Sequence, residues 1–333
     1  MRTFRDFMES ALYDPESGFY STRAQTADFY TAPELHPAFG AVLADRLAAL
    51  LRRARAARPG ETLAVVEAGC GDGRLAAVVA RRLRESHADV AADLGFVLVE
   101  RSRRDLTAAI RRLTAFGLNV DACTSVERLP HFTGVLYSNE LLDSLPAHLL
   151  QKDAGTVREV YVDFDGGQVL GELSTPDLAV HAAAISPALA DGERHAVSLA
   201  APRWLRDAAA KLNAGFLLTV DYGKRFGPRT PNAPRAYRAH RIETDLTAAP
   251  GSRDLTVPAD FSALIAAGEA AGASLESYES LSHFLLAGGF GAFLEAAANA
   301  GPSSYRELAK LKTLIHPEGM GEAFKVLTQR KNA

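Results

Sequence analysis

The sequence predicts an α/β fold, with a mostly parallel sheet and helices packed on both of its faces. Its 333 residues are 47% hydrophobic and 23% charged, which is ordinary for a globular protein and excludes disordered, coiled-coil and collagen-like chains. Between residues 59 and 150, short apolar runs alternate with amphipathic helical patterns, as expected for parallel strands joined by right-handed crossovers. A turn with three glycines follows the first apolar run, where sheets of this kind bind ligands.

The first half of the chain predicts helices and strands in regular alternation. Residues 3 to 13 have the apolar spacing of a short amphipathic helix, and a long helix then continues to about Arg58, where Pro59 and Gly60 end it. The strand TLAVVEAG leads into the glycines. The elements that follow are the helix RLAAVVARRLRES, the strand GFVLVE, the helix SRRDLTAAIRRLTAFG, the strand NVDACT and the strand GVLYSNE.

The alternation breaks after about residue 150. REVYVDFDGGQVLGEL alternates with period two around Asp165-Gly166-Gly167, which predicts a hairpin inside an insertion. AAPRWLRDAAAKLN and GFLLTVDYG restore helix and strand, and a helix, a last strand and further helices reach about Arg330. We therefore expect the chain to have four parts. The first two are a helical segment or lid at 1–58 and a cofactor-binding half of the sheet at 59–150. The hairpin insertion at 151–200 and the remainder of the core at 201–333 follow, and the latter includes an ordered substrate-side excursion at 224–260.

Charge and cysteine content restrict the class of protein. Lys and Arg number 37 against 40 Asp and Glu, so the formal net charge is −3 and argues against a nucleic-acid partner. Two cysteines cannot form a disulfide framework, and nine scattered histidines lack metal-ligand spacing, so no metal site is expected. There is no signal-peptide pattern and no apolar run of 18 residues. These observations predict a cytoplasmic protein without membrane insertion.

The glycine turn indicates which cofactor binds. Glu67, Gly69, Gly71 and Gly73 form the pattern acid-x-Gly-x-Gly-x-Gly, whereas the third glycine of a dinucleotide-binding turn comes one residue later. The pattern resembles motif I of class I S-adenosylmethionine methyltransferases, in which the glycine backbone lies against the amino-acid part of the cofactor. A carboxylate attracts an ammonium and a sulfonium and would repel a phosphate. Cys70 lies inside this turn and is expected to fill space beside the cofactor rather than to act as a nucleophile.

Two further strand ends carry acidic residues. Glu100 ends the second strand, where a carboxylate can accept hydrogen bonds from both ribose hydroxyls, and Arg101 follows it at the same site. The alternative for Glu100 is a surface ion pair with its neighbouring arginines. Asn139 and Glu140 end the fourth strand and are expected to face the transferable methyl group. Asp143 would point to the same side as Glu140 if the segment turns helical, and its alternative role is to cap a helix.

Seven segments occur in the order found in the MidA-like family of class I methyltransferases, which the chain resembles over nearly its whole length. They are FRDFMESALYDPESGFY, DFYTAPELHPAFG, VVEAGCGDGRL, YSNELLDSLPAH, LLTVDYG, RAYRAH with PGSRDLTVPADFSAL, and GMGEAFKVLTQRK. The resemblance implies a Rossmann-like class I methyltransferase core with an N-terminal helical extension. It also implies S-adenosyl-L-methionine as the methyl donor and S-adenosyl-L-homocysteine as the product.

The reaction that the resemblance implies is protein arginine N-methylation. The family includes mitochondrial proteins related to a complex I assembly factor, which methylates an arginine on a complex I subunit. A protein substrate such as a respiratory complex I-type subunit is therefore the implied partner. Glu140 is expected to clamp the guanidinium, with Asn139 beside it and Asp143 as its partner or as the final proton acceptor.

The N-terminal block is expected to cover the cofactor as a lid, through Asp28, Thr31, Pro33 and Glu34, although a capped helix start packed on the core explains the same residues. The family often has aromatic residues where this chain has Leu141 and Leu142, which leaves the substrate open. Three alternatives remain, which are a small-molecule or nucleic-acid methyl acceptor, a cofactor-binding assembly chaperone without catalysis, and a nicotinamide-dependent oxidoreductase.

Overall fold

A computed structural model describes residues 1–22, 32–227, 230–238, 241–301 and 304–332 of the chain. Internal contacts divide these residues into two compact units. The core unit comprises residues 32–141, 204–222 and 265–332, and the accessory unit comprises residues 1–22, 142–203 and 223–264, with the gaps given above.

The described residues form sixteen strands and fourteen α-helices. The strands are β1 (Arg2–Thr3), β2 (Leu63–Ala68), β3 (Gly95–Val99), β4 (Val120–Cys123), β5 (Phe132–Asn139), β6 (His148–Asp153), β7 (Thr156–Val162), β8 (Gln168–Gly171), β9 (Arg194–Val197), β10 (Leu212–Lys224), β11 (Arg235–Arg238), β12 (Arg241–Glu243), β13 (Asp254–Thr256), β14 (Ala259–Asp260), β15 (Ala273–Ser280) and β16 (Phe324–Lys331). The helices are α1 (Phe4–Tyr13), α2 (Phe19–Thr22), α3 (Ala32–Leu35), α4 (Ala38–Ala57), α5 (Arg74–Ser86), α6 (Ala88–Ala91), α7 (Arg103–Thr114), α8 (Asp177–Ile185), α9 (Ala200–Lys211), α10 (Phe261–Ala270), α11 (Leu281–Ala287), α12 (Gly291–Asn299), α13 (Tyr305–Ile315) and α14 (Met320–Ala323).

The main sheet of the core unit has the strand order β15-β16-β10-β5-β2-β3-β4. The strands from β10 to β4 are parallel to their neighbours, and β16 runs antiparallel between β10 and β15. Helix α5 has the predicted bounds, α7 ends three residues before the end of the predicted segment SRRDLTAAIRRLTAFG, and both helices bury one stripe of side chains. The predicted Rossmann-like, mostly parallel sheet is therefore confirmed.

Two predicted elements differ in the core unit. The long helix that was expected to run from about Pro33 to Arg58 is interrupted before Ala38, because Pro37 has no amide hydrogen to donate to the preceding turn and instead is the N-cap residue of α4. The predicted terminal helices end earlier, since FKVLTQRK is the strand β16. This strand lies between two others and buries Val326, Leu327, Thr328 and Gln329 in succession, so it lacks the alternation that identifies a strand with one exposed face.

The accessory unit contains two smaller sheets. One has the order β1-β7-β6-β9, with β8 beside β7, and the other has the order β12-β11-β13. The predicted hairpin joins β7 to β8, and its turn is closed by Asp163 Oδ1, which accepts hydrogen bonds from the amides of Asp165 and Gly167 at 3.0 and 2.7 Å. The second sheet occupies part of the excursion expected at 224–260.

Helix α1 packs in the accessory unit, where Phe4 and Phe7 share an apolar cluster with Leu149 and Val160. Helix α4 belongs to the core unit, so the segment 1–58 contributes to both units. The four-part division expected from the sequence stays a prediction.

Among the described residues, no single helix is both long and apolar enough to cross a membrane. The pair α11 and α12 meets that length and composition together, but bends by 77° at its break.

Candidate functional site

The turn after β2 depends on its glycines. Gly69, Gly71 and Gly73 have φ angles of 72°, 51° and 80°, in the left-handed region that glycine adopts without steric cost. A Cβ atom on Gly69 would lie 2.9 Å from Leu141 Cδ1, and one on Gly73 would lie 2.8 Å from the Cα atom of Ala109 in α7. The turn therefore leaves no room for side chains at these two positions.

Glu67 lies at the end of β2 and is only 4% exposed. Its Oε2 atom accepts a hydrogen bond from the hydroxyl of Tyr137 at 2.8 Å. Burial raises the pKa of Glu67 to about 8, and the negative charges of Glu100 and Asp72 act in the same direction. A cation bound beside this carboxyl group would favour its ionised form.

Cys70 is also buried within the glycine turn. Burial raises the pKa of its thiol, and the charges of Glu67 and Glu100 raise it further. The thiolate form is therefore suppressed, which agrees with a space-filling residue and not with a nucleophile.

Glu100 directly follows β3 and faces the same turn. Its Oε2 atom accepts from the amide of Gly71 at 3.0 Å, and its Oε1 atom accepts from the amide of Ser102 at 2.8 Å. Burial raises the pKa of this carboxyl group, while the two amide donors oppose the shift. Each carboxylate oxygen can accept a second hydrogen bond, so the pair of oxygens suits two ribose hydroxyls. Arg101 lies next to it and is exposed.

The end of β5 carries three polar side chains in succession. Glu140 has a φ of 51°, which is uncommon for a residue with a side chain and is typical of functional sites. Its Oε1 atom accepts from the amide of Ala32 at 2.9 Å and from Asn139 Nδ2 at 3.0 Å. Two buried atoms here, Ser138 Oγ and Asn139 Oδ1, have no hydrogen-bond partner within the described part of the chain. Such atoms need a partner, which a ligand can provide.

Strand β10 fixes the backbone that follows β5. The amide of Glu140 donates to the carbonyl of Val220 at 2.9 Å, and the amide of Leu141 donates to Asp221 Oδ2 at 3.1 Å. The other oxygen of Asp221 accepts from the amide of Tyr222 at 2.9 Å. Asp221 thus holds the turn that carries Glu140.

The segment after Glu140 is not helical, so helical spacing gives no reason for Glu140 and Asp143 to point to one side. Asp143 belongs to the accessory unit, where its carbonyl accepts from the amide of Val257 at 2.8 Å. Pro33 lies in α3 and is partly exposed. Asp28 and Thr31 lie outside the described residues, and of Glu34 only the backbone is described.

Sequence reasoning missed Tyr137, and for Asp221 at the end of its strand it offered a border of the substrate channel or a cap of the following turn. Tyr137 stands two residues before Asn139 on one strand, so the two side chains share a face of the sheet, and that alternation was the available signal. The contact between Tyr137 and Glu67 depends on the register of β2 against β5, which the sequence does not contain.

These features fit S-adenosyl-L-methionine. The glycine turn has no room for a Cβ at Gly69 or Gly73, the carboxyl groups of Glu67 and Glu100 lie beside it, and Asn139 Oδ1 lacks a partner among the described residues. Within the same residues, no group of three or more His, Cys, Asp and Glu side chains is arranged to hold a metal ion.

Comparison with known proteins identifies the family. A family model described as "Putative S-adenosyl-L-methionine-dependent methyltransferase" matches residues 42–279, which is more than half of the chain. A solved structure from Burkholderia thailandensis with S-adenosyl-homocysteine bound is 29% identical, has a TM-score of 0.81, and aligns over 99% of this chain and 88% of its own. These findings confirm the cofactor and the resemblance to the MidA-like family.

Curated relatives carry a more specific name. The mitochondrial protein arginine methyltransferase NDUFAF7 of Xenopus tropicalis is 27% identical over 78% of this chain and 65% of its own length. Its Rattus norvegicus counterpart is 28% identical over 97% of this chain and 79% of its own length. The chain thus spans about two thirds of the length of the first relative and about four fifths of the second.

The predicted cytoplasmic location is wrong by this comparison, because the curated relatives are named as mitochondrial proteins. Low cysteine content indicates a reducing environment but does not distinguish between compartments. The matched family model and the fold both indicate a methyltransferase. The chain belongs to the family of S-adenosyl-L-methionine-dependent methyltransferases.

Proposed function

We propose that this chain methylates the guanidinium nitrogen of an arginine in a protein substrate. The observation that carries the proposal is Glu140, a carboxylate held on a left-handed backbone at the end of β5. Relatives that are 27% and 28% identical are named protein arginine methyltransferases, which supports the same reaction.

The cofactor site that we propose lies along the ends of β2, β3 and β5. When bound, the cofactor supplies a methyl group already activated by its sulfonium. Glu67 would attract its positive charge, and Glu100 would accept from its ribose hydroxyls. The full set of proposed cofactor-binding residues is Thr31, Pro33, Glu67, Gly69, Cys70, Gly71, Gly73, Glu100, Arg101 and Asn139.

The carboxylate of Glu140 can bind and orient the guanidinium of an arginine substrate. A guanidinium is a poor nucleophile because its lone pair is delocalised, and a carboxylate that accepts two of its N–H groups can orient one nitrogen and hold charge on the others. The left-handed backbone of Glu140 costs about 1 to 3 kcal/mol, which is typical of residues whose position serves function. The hydrogen bonds from Ala32 and Asn139 hold its carboxylate in place before substrate arrives.

Asn139 and Asp143 complete the proposed catalytic set. Asn139 orients Glu140 through the 3.0 Å hydrogen bond from Nδ2 to Oε1. Asp143 would assist Glu140 or accept the final proton, and this role rests on its place in the sequence three residues after Glu140. We propose a protein partner, and the family resemblance favours a respiratory complex I-type subunit.

The test compares methyl transfer by the wild type and by Glu140→Gln at saturating S-adenosyl-L-methionine. Glutamine keeps the size of the side chain but removes the charge that orients the guanidinium, so transfer should fall about a hundredfold, or about 2.7 kcal/mol in activation free energy. Arginine methylation in an arginine-bearing protein substrate or a whole lysate is read by mass spectrometry. Affinity for S-adenosyl-L-homocysteine should change far less.

Glu61→Gln is the matched control. Glu61 accepts from the hydroxyl of Thr133 where β5 begins, at the other end of that strand from Glu140. This variant should transfer methyl groups at the wild-type rate. Equal rates for wild type and Glu140→Gln would contradict the carboxylate clamp. Wild type that methylates no arginine would contradict the proposed reaction and leave the small-molecule, nucleic-acid and chaperone alternatives.

A further inference from the structure

Tyr137 and Glu67 form a buried polar pair inside the main sheet. Strands β2 and β5 are parallel neighbours, and these two residues lie opposite each other in the register. The Tyr137 hydroxyl donates to Glu67 Oε2 at 2.8 Å, and the residues are 2% and 4% exposed. When Glu67 is ionised it can only accept, so the hydroxyl hydrogen of Tyr137 is then committed to this contact.

The packing of Tyr137 does not require a hydroxyl group. Its ring belongs to the apolar cluster on one face of the sheet, together with Val65 and Val135. A phenylalanine would fill the same volume, and an apolar residue at position 67 would avoid the loss of carboxyl hydration. Buried polar pairs of this kind are often no more stabilising than apolar side chains of similar volume. The pair is therefore better explained by binding than by stability.

We propose that Tyr137 is a positioning residue for S-adenosyl-L-methionine, which acts by orienting the Glu67 carboxylate and favouring its ionised form. The proposal rests on the cofactor site described above, because it assigns Glu67 to the cationic part of the ligand. Tyr137 is not a catalytic residue, since its hydroxyl is already committed to Glu67.

The surroundings of Glu67 explain why it needs a donor. Burial raises the pKa of Glu67, and the nearby carboxylates of Glu100 and Asp72 raise it further, so that it reaches about 8. The charge of Glu67 in turn raises the pKa of the nearby Cys70 thiol. The hydrogen bond from Tyr137 is the contact that lowers the pKa of Glu67. Without the hydroxyl, more of the free protein would hold a neutral Glu67 at a given pH.

Cofactor affinity should therefore depend on pH. A ligand that binds the ionised form of Glu67 binds more tightly as pH rises, by up to about tenfold per unit, until the pH passes the pKa of this group in the free protein. Removing the hydroxyl moves that limit to higher pH. The amino group of the ligand titrates equally with every variant, so differences between variants report the protein group.

The experiment measures the Kd of S-adenosyl-L-homocysteine from pH 6 to pH 9 for wild type, Tyr137→Phe, Glu67→Gln and Thr133→Val. Tyr137→Phe should bind about 10-fold to 100-fold more weakly at pH 7, and its affinity should still be rising at pH 9, where that of the wild type levels off. Glu67→Gln should bind the ligand weakly, and its Kd should no longer show the part of the pH dependence that comes from the protein. Thr133→Val is the control, because it removes a hydroxyl that donates to a carboxylate where the same strand begins, and it should keep the wild-type profile.

Two results would overturn the proposal. One is a wild-type pH profile in Tyr137→Phe. The other is a further loss of affinity when Tyr137→Phe is added to Glu67→Gln, because the hydroxyl would then act without the carboxylate. If instead Glu67→Gln binds as the wild type does, the proposed cofactor site is wrong at that residue.

A measurement on wild type alone keeps the test independent of variant folding. Calorimetry at pH 7 in two buffers of different ionisation enthalpy counts the protons released when S-adenosyl-L-homocysteine binds. We expect net proton release, since the ligand favours the ionised form of Glu67. No release would overturn the proposal.

Discussion

Replacing Gly73 by alanine should destabilise the protein by about 2 to 5 kcal/mol. The residue has a φ of 80°, a conformation that costs an L-residue about 1 to 2 kcal/mol. The new Cβ atom would lie 2.8 Å from both Cα and Cβ of Ala109. Because Ala109 is fixed within α7, helix α5 or α7 must shift, which adds about 1 to 3 kcal/mol of overpacking.

The variant Gly60→Ala separates the cost of the left-handed backbone from the cost of crowding against a neighbouring helix. Gly60 has a φ of 87°, but a Cβ atom there would meet no atom within 4 Å. This variant should therefore lose only the conformational part, about 1 to 2 kcal/mol. The difference between the two variants measures the crowding against α7.

Urea unfolding followed by circular dichroism gives the free energy of unfolding of each variant, and titration with S-adenosyl-L-homocysteine gives its affinity. Gly73→Ala should also bind this ligand more weakly, since a displaced α5 distorts the glycine turn, whereas Gly60→Ala should bind normally. Equal losses of stability in the two variants would refute the crowding argument.

Two other changes test the charged groups. Glu100→Ala should weaken S-adenosyl-L-homocysteine binding by about 1.5 to 3 kcal/mol, the range for hydrogen bonds to a charged group, and an unchanged Kd would place the ribose contact elsewhere. Glu159 is fully buried, and although burial raises its pKa, hydrogen bonds from His148 and Ser174 lower the pKa overall. The ionised Glu159 should stabilise the fold above about pH 4.5, and this stabilisation should disappear as the pH falls through the lowered pKa of the group. The free energy of unfolding of the wild type should therefore fall more between pH 7 and pH 3 than that of Glu159→Gln. Equal falls in the two proteins would contradict this assignment.

Local patterns predicted β2, β3 and β5 because each of these strands is a short and mostly buried apolar run. The glycine turn was predictable for a similar reason, since residues 67 to 73 are contiguous and their spacing is itself the signal. The strand β16 was not, because it is buried on both faces and its sequence lacks a period of two.

Parts of the candidate site depend on contacts between distant residues. Tyr137 meets Glu67 only through strand register, and Asp221 reaches the amide of Leu141 from another strand. The left-handed backbone of Glu140 was also unpredictable, because glutamate rarely adopts it and tertiary contacts impose it. Asp143 was placed beside Glu140 on the assumption of a helix that does not form.

The position of β16 has a consequence for synthesis on the ribosome. Strand β10 completes its pairing only with β16, which follows it by about 100 residues. At about 5 to 20 residues per second, one edge of β10 lacks this partner for roughly 5 to 20 seconds. An open strand edge is a template for pairing with other chains. The nascent protein therefore passes through a period in which a chaperone that shields strand edges would improve its yield.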